Sequence, residues 1–252
     1  MAEEKGLNFL CSPFSIDAIE LMLSIGCDRF KIGSGDTNNK ELLYKIRDTG
    51  LPVLISTGMS DYDEIDYALN ILSEKVNDIT LFHCTTKYPT SPKDIILEEI
   101  NVLKNKFKLP IGFSDHSGFI FPGIVASYLG ITSIEVHTVL SKFSFGPDVS
   151  SSLDLDQLKD LVEGIRYIEK MNQSNLKKLD VVKSLSDTKS LFGRSFFLSK
   201  EIKKGEIILK EHLKYLKPGN GLNYDQLDNI LGKKTKSDLE KNHMITYADL
   251  EN

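Results

Sequence analysis

The chain has 252 residues, of which 40% are hydrophobic and 27% charged, a balance typical of a globular protein with a buried core. Its net charge of −5 excludes the basic footprint that binds nucleic acids and anionic membranes, and no run approaches the ~20 apolar residues of a membrane span. Cys11, Cys27 and Cys84 are odd in number and lack metal-type spacing, so they favour a reducing, cytoplasmic location over a disulfide framework.

Six short runs rich in β-branched or aromatic residues follow in chain order, and each stops at a polar residue. The first five are each followed by an amphipathic stretch, and Ser60 and Asp61 are candidate caps for the helix after the third run. Alternation of nearly continuous apolar strands with helices predicts a parallel α/β sheet. The six runs are LNFLCS (7–12), RFKIGSG (29–35), PVLISTGMS (52–60), ITLFHCT (79–85), LPIGFSDH (109–116) and SIEVHTV (133–139).

Polar marker residues recur along these strands at a regular interval. Lys31, Ser56, His83, Ser114 and His137 are 25, 27, 31 and 23 residues apart, which is the length of one βα repeat. A (β/α)8 barrel and an open doubly wound sheet both fit this spacing. The barrel is favoured, because the carboxyl ends of all its strands converge on one site, whereas an open sheet concentrates ligand contacts at one or two switch points. A closed barrel needs eight strands, and the pattern predicts six.

The pattern changes after the last of these runs. A helix is predicted over LDQLKDLVEGIRYIEKM (155–171), and the polar stretch that follows has no strong periodicity. Short alternating strands and glycine turns then predict a small, mostly β domain. The predicted organisation is therefore a barrel-type domain at 1–171, a linker at 172–190 and a small domain at 191–252.

The polar residues at the predicted strand ends suit two kinds of chemistry. His116 and His137 end successive strands, and two neutral imidazoles with open positions suit a borderline divalent metal; the alternative is one structural and one incidental histidine. Asp115 either orients a histidine or caps a turn. Lys31 and the small residues of GSG (33–35) can meet an anion with an ammonium and backbone N–H groups, although a lone G-x-G is weak evidence for phosphate.

Six motifs of the chain resemble those of the N-acetylneuraminate (sialic acid) synthase family and occur in the family's order. The segments SKEIKKGEIIL (199–209) and LKPGNGL (216–222) resemble the family's C-terminal SAF, or antifreeze-like, domain. The resemblance implies an α/β fold: a (β/α)8 TIM barrel, here incomplete and limited to strands 3–8, followed by a small, mostly β SAF domain of β-clip type. The six motifs are FKIGSGD (30–36), ISTGM (55–59), HCTTKYPT (83–90), FSDHSG (113–118), EVHTV (135–139) and GPDVSSSL (146–153).

The resemblance also implies a reaction. Phosphoenolpyruvate condenses with the open-chain aldehyde of an N-acetylated amino sugar, N-acetylmannosamine or a related sugar, to give a nonulosonic acid and phosphate. A divalent metal, Mn²⁺ or Mg²⁺, assists. Two alternatives stay open: a synthase for legionaminic or pseudaminic acid, and an inactive or regulatory paralogue. A class II-type aldolase barrel is disfavoured by the SAF-like tail.

Residue roles follow from the same resemblance. The metal ligands would be His116 and His137, and the catalytic carboxylate would be Asp36, where the family usually has a Glu that is one CH₂, or roughly 1.5 Å, longer. Lys217 stands where the family has an Arg, so the charge stays but the planar fork is lost. Phosphoenolpyruvate would contact Ser12, Lys31, Ser34, Ser56 and Ser114, and the sugar would contact Tyr88, Asp148 and Lys217.

Family members carry further residues before the segment that matches LNFLCSP, and these hold barrel strands 1 and 2. A six-stranded remnant would expose sheet edges at LNFLCS and SIEVHTV. We therefore expect the 252 residues alone to be a truncated synthase that is poorly soluble and inactive. The family further implies a domain-swapped homodimer, in which the SAF domain covers the partner's barrel.

Overall fold

The structure is a computed structural model that describes residues 2–251. The chain forms two compact units, one up to Ser174 and the other from Asn175 onward. Among the described residues, no helix is both long and apolar enough to cross a membrane.

The first unit contains a parallel sheet whose strands lie in chain order, and within residues 2–251 this sheet has six strands. Every neighbouring pair is parallel, which confirms the predicted α/β class, and the sheet curls into an incomplete TIM barrel. The strands are β1 (Phe30–Ile32), β2 (Val53–Ser56), β3 (Ile79–Cys84), β4 (Ile111–Asp115), β5 (Ser133–Thr138) and β6 (Ser152–Leu153).

Helices connect these strands and begin where the sequence supplies caps. The Asp61 carboxylate accepts hydrogen bonds from amides of the first turn, and the Glu64 carboxylate accepts one from the Asp61 amide. This reciprocal pair is a capping box. Gly50 ends the second helix in the left-handed conformation, with φ 68°. The helices are α1 (Ile16–Ser24), α2 (Lys40–Thr49), α3 (Tyr62–Leu72), α4 (Glu99–Phe107), α5 (Phe121–Tyr128) and α6 (Leu155–Asn172).

The core of the first unit lies between the sheet and this layer of helices. Strands β1 to β4 are buried almost throughout, as expected for parallel strands covered by crossover helices, whereas β5 is only partly buried. The fully buried side chains include Ile19, Phe30, Leu43, Ile55 and Leu81. This packing fixes the strand positions and therefore the positions of the polar groups that follow them.

The structure differs from the predicted strands at both edges of the sheet. Residues 7–12 are irregular and meet β1 through the amide of Lys31, which donates to the Cys11 carbonyl at 3.3 Å. Pro13 removes a backbone donor directly after this segment, which hinders a longer ladder. At the other edge β6 was not predicted, because two residues are too few to show periodicity.

The second unit has its own core, which includes Phe196, Leu198, Ile202, Ile230 and Ile245. Its strands β7 (Ser195–Leu198) and β8 (Leu213–Leu216) are antiparallel. Isolated bridges such as Ile202 with Leu239 extend the β structure. The segment predicted as a linker, 172–190, contains α7 (Lys178–Ser184) and most of α8 (Ser186–Phe192).

Candidate functional site

A cavity of about 420 Å³ lies at the carboxyl ends of the strands of the first unit. Its lining carries hydroxyl, ammonium, carboxylate and imidazole groups that come from different strands and the turns after them. The structure thus gathers nine of the sequence-predicted site residues around one opening: Ser12, Lys31, Ser34, Asp36, Ser56, Tyr88, Ser114, His116 and His137.

The floor of the cavity is built around the ammonium of Lys31. This residue is only 5% exposed, and its Nζ donates to Ser56 Oγ at 2.6 Å and to Glu135 Oε2 at 3.0 Å. The ammonium also lies 5.2 Å from the centre of the Phe82 ring. An ammonium has three N–H donors and the bonds to Ser56 and Glu135 use two of them, so one donor remains for an anionic ligand.

Glu135 is the main site residue that the sequence reasoning missed. Its Oε2 accepts from Lys31 and also from Ser114 Oγ at 2.6 Å. Burial alone would raise the pKa of the Glu135 carboxyl, but the Lys31 ammonium and the Ser114 hydroxyl outweigh it and leave the pKa below its usual range. The signal was present in EVHTV, because residues 135 and 137 of a strand point to the same face.

The turn after β1 provides a second set of polar groups. Ser34 Oγ accepts from the Gly58 amide at 3.2 Å and lies 3.3 Å from Cys84 Sγ. A Cβ on Gly58 would lie 2.5 Å from Thr86 Oγ1 and 2.6 Å from Cys84 Sγ, so only glycine fits there. The Thr86 hydroxyl is buried in the cavity wall and has no hydrogen-bond partner within the described part of the chain.

The two predicted metal ligands lie side by side at the mouth of the cavity. The ring centres of His116 and His137 are 5.3 Å apart, and the Tyr88 ring lies 4.3 Å from the first and 5.6 Å from the second. His116 Nδ1 lies 3.0 Å from the Thr85 carbonyl, which can only accept, so this nitrogen carries the proton and Nε2 keeps its lone pair. Burial lowers the pKa of His116, and the neighbouring His137 lowers it further.

This arrangement fits a divalent cation that keeps open positions. A metal-binding histidine typically donates its other ring N–H to a carbonyl, as His116 does. Between residues 2 and 251 no third His, Cys, Asp or Glu side chain joins the two histidines in a group that could hold a metal. A cation bound by the histidine pair would therefore keep coordination positions for water and substrate oxygens.

Three carboxylates lie near this mouth in different settings. Asp36 lines the cavity and accepts from Asn39 Nδ2 at 3.1 Å. Asp148 lies outside the lining, with its Oδ2 3.9 Å from His137 Nδ1. Asp115 caps its own turn by accepting from the amide and hydroxyl of Ser117, and burial raises its pKa.

Lys217 is the one predicted site residue in the second unit. It lies in the segment before the cis peptide bond to Pro218, and its Nζ is 4.9 Å from the centre of the Phe192 ring. Its predicted contact with a sugar stays a prediction.

Comparison with known proteins gives two domain matches. The NeuB family profile matches residues 1–177, and the SAF domain profile matches residues 193–251.

The chain is 35% identical to the N,N'-diacetyllegionaminic acid synthase of Campylobacter jejuni, over 97% of the chain and 73% of that protein. It is 34% identical to the pseudaminic acid synthase of the same species, over 98% of the chain and 72% of that protein. The crystal structure of N-acetylneuraminic acid (sialic acid) synthetase from Leptospira borgpetersenii, in complex with citrate, superposes with a TM-score of 0.68 and 30% identity, over 73% of this chain and 66% of that one.

Proposed function

Because this chain belongs to the NeuB family, we propose that it is a nonulosonic acid synthase that joins phosphoenolpyruvate to an N-acylated amino sugar. In the proposed reaction C3 of phosphoenolpyruvate bonds to the aldehyde carbon of the open-chain sugar. Water then adds at C2, and phosphate leaves by C–O cleavage. The single observation that carries the proposal is the Lys31 ammonium among serine hydroxyls, in the same cavity as the His116 and His137 pair.

Phosphoenolpyruvate binding is assigned to the polar floor. The ammonium of Lys31 supplies the positive charge, and Ser12, Ser34 and Ser56 supply hydroxyl donors, while the proton of the neighbouring Ser114 hydroxyl is held by Glu135. Glu135 holds Lys31 and Ser114 in place before the substrate arrives, so these groups need little reorganisation on binding.

His116 and His137 would hold the divalent cation, Mn²⁺ or Mg²⁺. When bound there, such a cation supplies Lewis-acid polarisation of a carbonyl oxygen. His116 is oriented for this task by its bond to the Thr85 carbonyl and is kept neutral by burial.

The sugar is assigned to the outer part of the mouth. Tyr88 packs against both imidazoles, and Asp148 lies beside His137, where its carboxylate can accept from sugar hydroxyls. Asp36 lines the same cavity, and we assign to its carboxylate the handling of a proton or the positioning of the attacking water.

A diacetamido sugar of the legionaminic or pseudaminic type is the alternative substrate. Two relatives carry those names. Asp36 shortens the reach of the carboxylate relative to the family's Glu, and Lys217 replaces the planar fork of the family's Arg with an ammonium. Calorimetric titration of the chain with a panel of N-acyl sugars distinguishes these substrates from N-acetylmannosamine by their affinities.

Binding and turnover are separate parts of the proposal. The described residues supply six strands, whereas a closed barrel has eight, so we expect the 252 residues alone to bind phosphoenolpyruvate without turning it over. We also propose a homodimer in which the SAF domain reaches the partner's barrel. Sedimentation analysis of the 252-residue chain tests the dimer.

Isothermal titration calorimetry of the 252-residue chain with phosphoenolpyruvate tests the binding step. We expect the Lys31→Met variant to lose about 10- to 100-fold in affinity, the equivalent of one charged hydrogen bond or more. Lys45→Met, which removes an exposed ion pair with Glu20, is the matched control and should bind as the unmodified chain does. Absence of binding by the unmodified chain would refute the assignment, and phosphate release by the 252 residues alone would refute the need for further strands.

A further inference from the structure

The loop that joins β5 to β6 carries Asp148 and has little apolar anchorage. This 139–151 loop contains three large hydrophobic side chains that face solvent: Leu140 is 84% exposed, and Phe143 and Phe145 are fully exposed. The Asp148 side chain is 54% exposed, and its 3.9 Å separation from His137 is too long for a hydrogen bond. The position of the Asp148 carboxylate therefore depends on what holds the loop backbone.

Lys142, near the start of the loop, turns inward rather than toward solvent. Its half-buried ammonium donates to the carbonyl of Gly118 at 3.2 Å and to the carbonyl of Ser152. Ser152 begins β6, and Gly118 lies in the turn after β4. One side chain thus ties the first part of the loop to its far end and to the neighbouring turn that follows His116.

The contact between the loop and this turn is close. Gly118 has a φ of +73°, and a Cβ there would lie 2.4 Å from the Ser150 carbonyl. The Asp148 carbonyl accepts from Ser152 Oγ at 2.7 Å and from the Ser151 amide at 3.0 Å. The backbone that follows Asp148 is therefore fixed in the same small region that the Lys142 ammonium binds.

We propose that Lys142 is a positioning residue that clamps the 139–151 loop and so places Asp148 beside His137. The consequence for sugar binding rests on the proposed function, whereas the clamp itself does not. A Lys142→Met variant keeps much of the volume but loses both charged hydrogen bonds, and Lys142→Arg keeps a cation that can bind two carbonyls. Lys159→Met is the matched control, because Lys159 is an exposed lysine on α6.

Limited chymotrypsin digestion tests the clamp directly, with cleavage after Phe143 or Phe145 identified by mass spectrometry. We expect Lys142→Met to accelerate this cleavage about fivefold or more, because local opening governs proteolysis. Lys142→Arg and Lys159→Met should match the unmodified chain. Equal cleavage rates in all four proteins, with folding checked by circular dichroism, would overturn the proposal. Acceleration that Lys142→Arg does not suppress would also overturn it.

Calorimetry with two probes tests the consequence for the site. Lys142→Met should weaken N-acetylmannosamine binding about tenfold while changing the affinity for phosphoenolpyruvate less than about twofold. Combining it with Asp148→Asn should add little further loss, because Lys142 acts through Asp148. If neither probe binds the unmodified chain, the proposed function fails while the digestion result still decides the clamp. Equal losses for both probes would contradict a role through Asp148.

Discussion

At the scale of single residues, the site is defined by which polar groups are already paired. Lys31 and Glu135 satisfy each other in the floor, whereas the Thr86 hydroxyl in the same cavity has no partner within residues 2–251. His116 donates through Nδ1, and its unprotonated Nε2 lies 3.3 Å from Ser114 Oγ. A polar group that is held in place by one hydrogen bond and still has an unused donor or acceptor needs little reorganisation to bind a ligand.

Glu135→Gln tests the ion pair through its pH dependence. The pKa of Glu135 is lowered in the folded protein, so the pairing stabilises the fold above the ordinary pKa of 4.5, and this stabilisation is lost as pH falls through the folded pKa. We expect the unfolding free energy of the unmodified chain to fall below pH 4.5 more steeply than that of the variant. Urea denaturation between pH 7 and pH 3 measures this. Parallel curves would show that the pair does not contribute.

His116→Gln tests the assignment of the metal site. We expect Mn²⁺ affinity to drop at least about 10- to 100-fold, the loss that is typical for removal of a group that only orients a metal ligand. His243→Gln, in the second unit, should leave Mn²⁺ binding unchanged. Electron paramagnetic resonance of free Mn²⁺ measures both. Burial lowers the pKa of His116 from its ordinary value of 6.5. Protonation of His116 should therefore oppose Mn²⁺ binding only below pH 6.5. Retention of full affinity in His116→Gln would contradict the site.

At the scale of elements, the strand-end turns decide how the polar groups converge. The turn after β2 places Gly58 against Cys84 and Thr86 and lets its amide donate to Ser34, which follows β1. Neighbouring βα units are therefore locked together at their carboxyl ends as well as through the sheet.

Gly58→Ala should disturb this lock. The added Cβ would overlap Thr86 and Cys84, so we expect a loss of about 1–3 kcal/mol in unfolding free energy, as for other overpacked sites. Gly35→Ala is the comparison, since its Cβ would make an ordinary contact 3.5 Å from Met59 Cε. Thermal and urea unfolding measure both variants. A Gly58→Ala variant as stable as Gly35→Ala would show that the turn yields easily.

Sequence patterns predicted β1 to β5, because short runs rich in β-branched and aromatic residues alternate there with longer helical patterns. The same reasoning failed at residues 7–12, where composition is strand-like but the ladder does not form, and at β6, which is too short. His83 was a marker by spacing, yet it stacks on Phe113 away from the cavity, while the adjacent Cys84 lines it. Alternation along the strand, rather than spacing between strands, decides which residue faces the site.

At the scale of the whole molecule, two units carry separate cores. The core of the first lies between sheet and helices, and the core of the second is assembled from short strands and bridges. Such cores can lose stability independently, because each buries its own apolar side chains.

Calorimetric unfolding should reveal two transitions. Ile245→Ala, in the second core, should lower the midpoint temperature of one transition, and Leu43→Ala, in the first core, should lower that of the other. We expect each variant to lose about 2–5 kcal/mol in the unfolding free energy of its own unit. Movement of both transitions in either variant would show that the units unfold together.

The ion pair between Lys31 and Glu135 joins the first strand of the sheet to the fifth. In a flat sheet, four strand-to-strand steps of about 4.8 Å would hold these backbones roughly 19 Å apart, beyond the combined reach of the two side chains. Their charged atoms are 3.0 Å apart, so the pair exists only because the sheet bends. This contact therefore depends on the curvature of the sheet: a change that flattened the sheet would separate Lys31 from Glu135 and open the floor of the cavity.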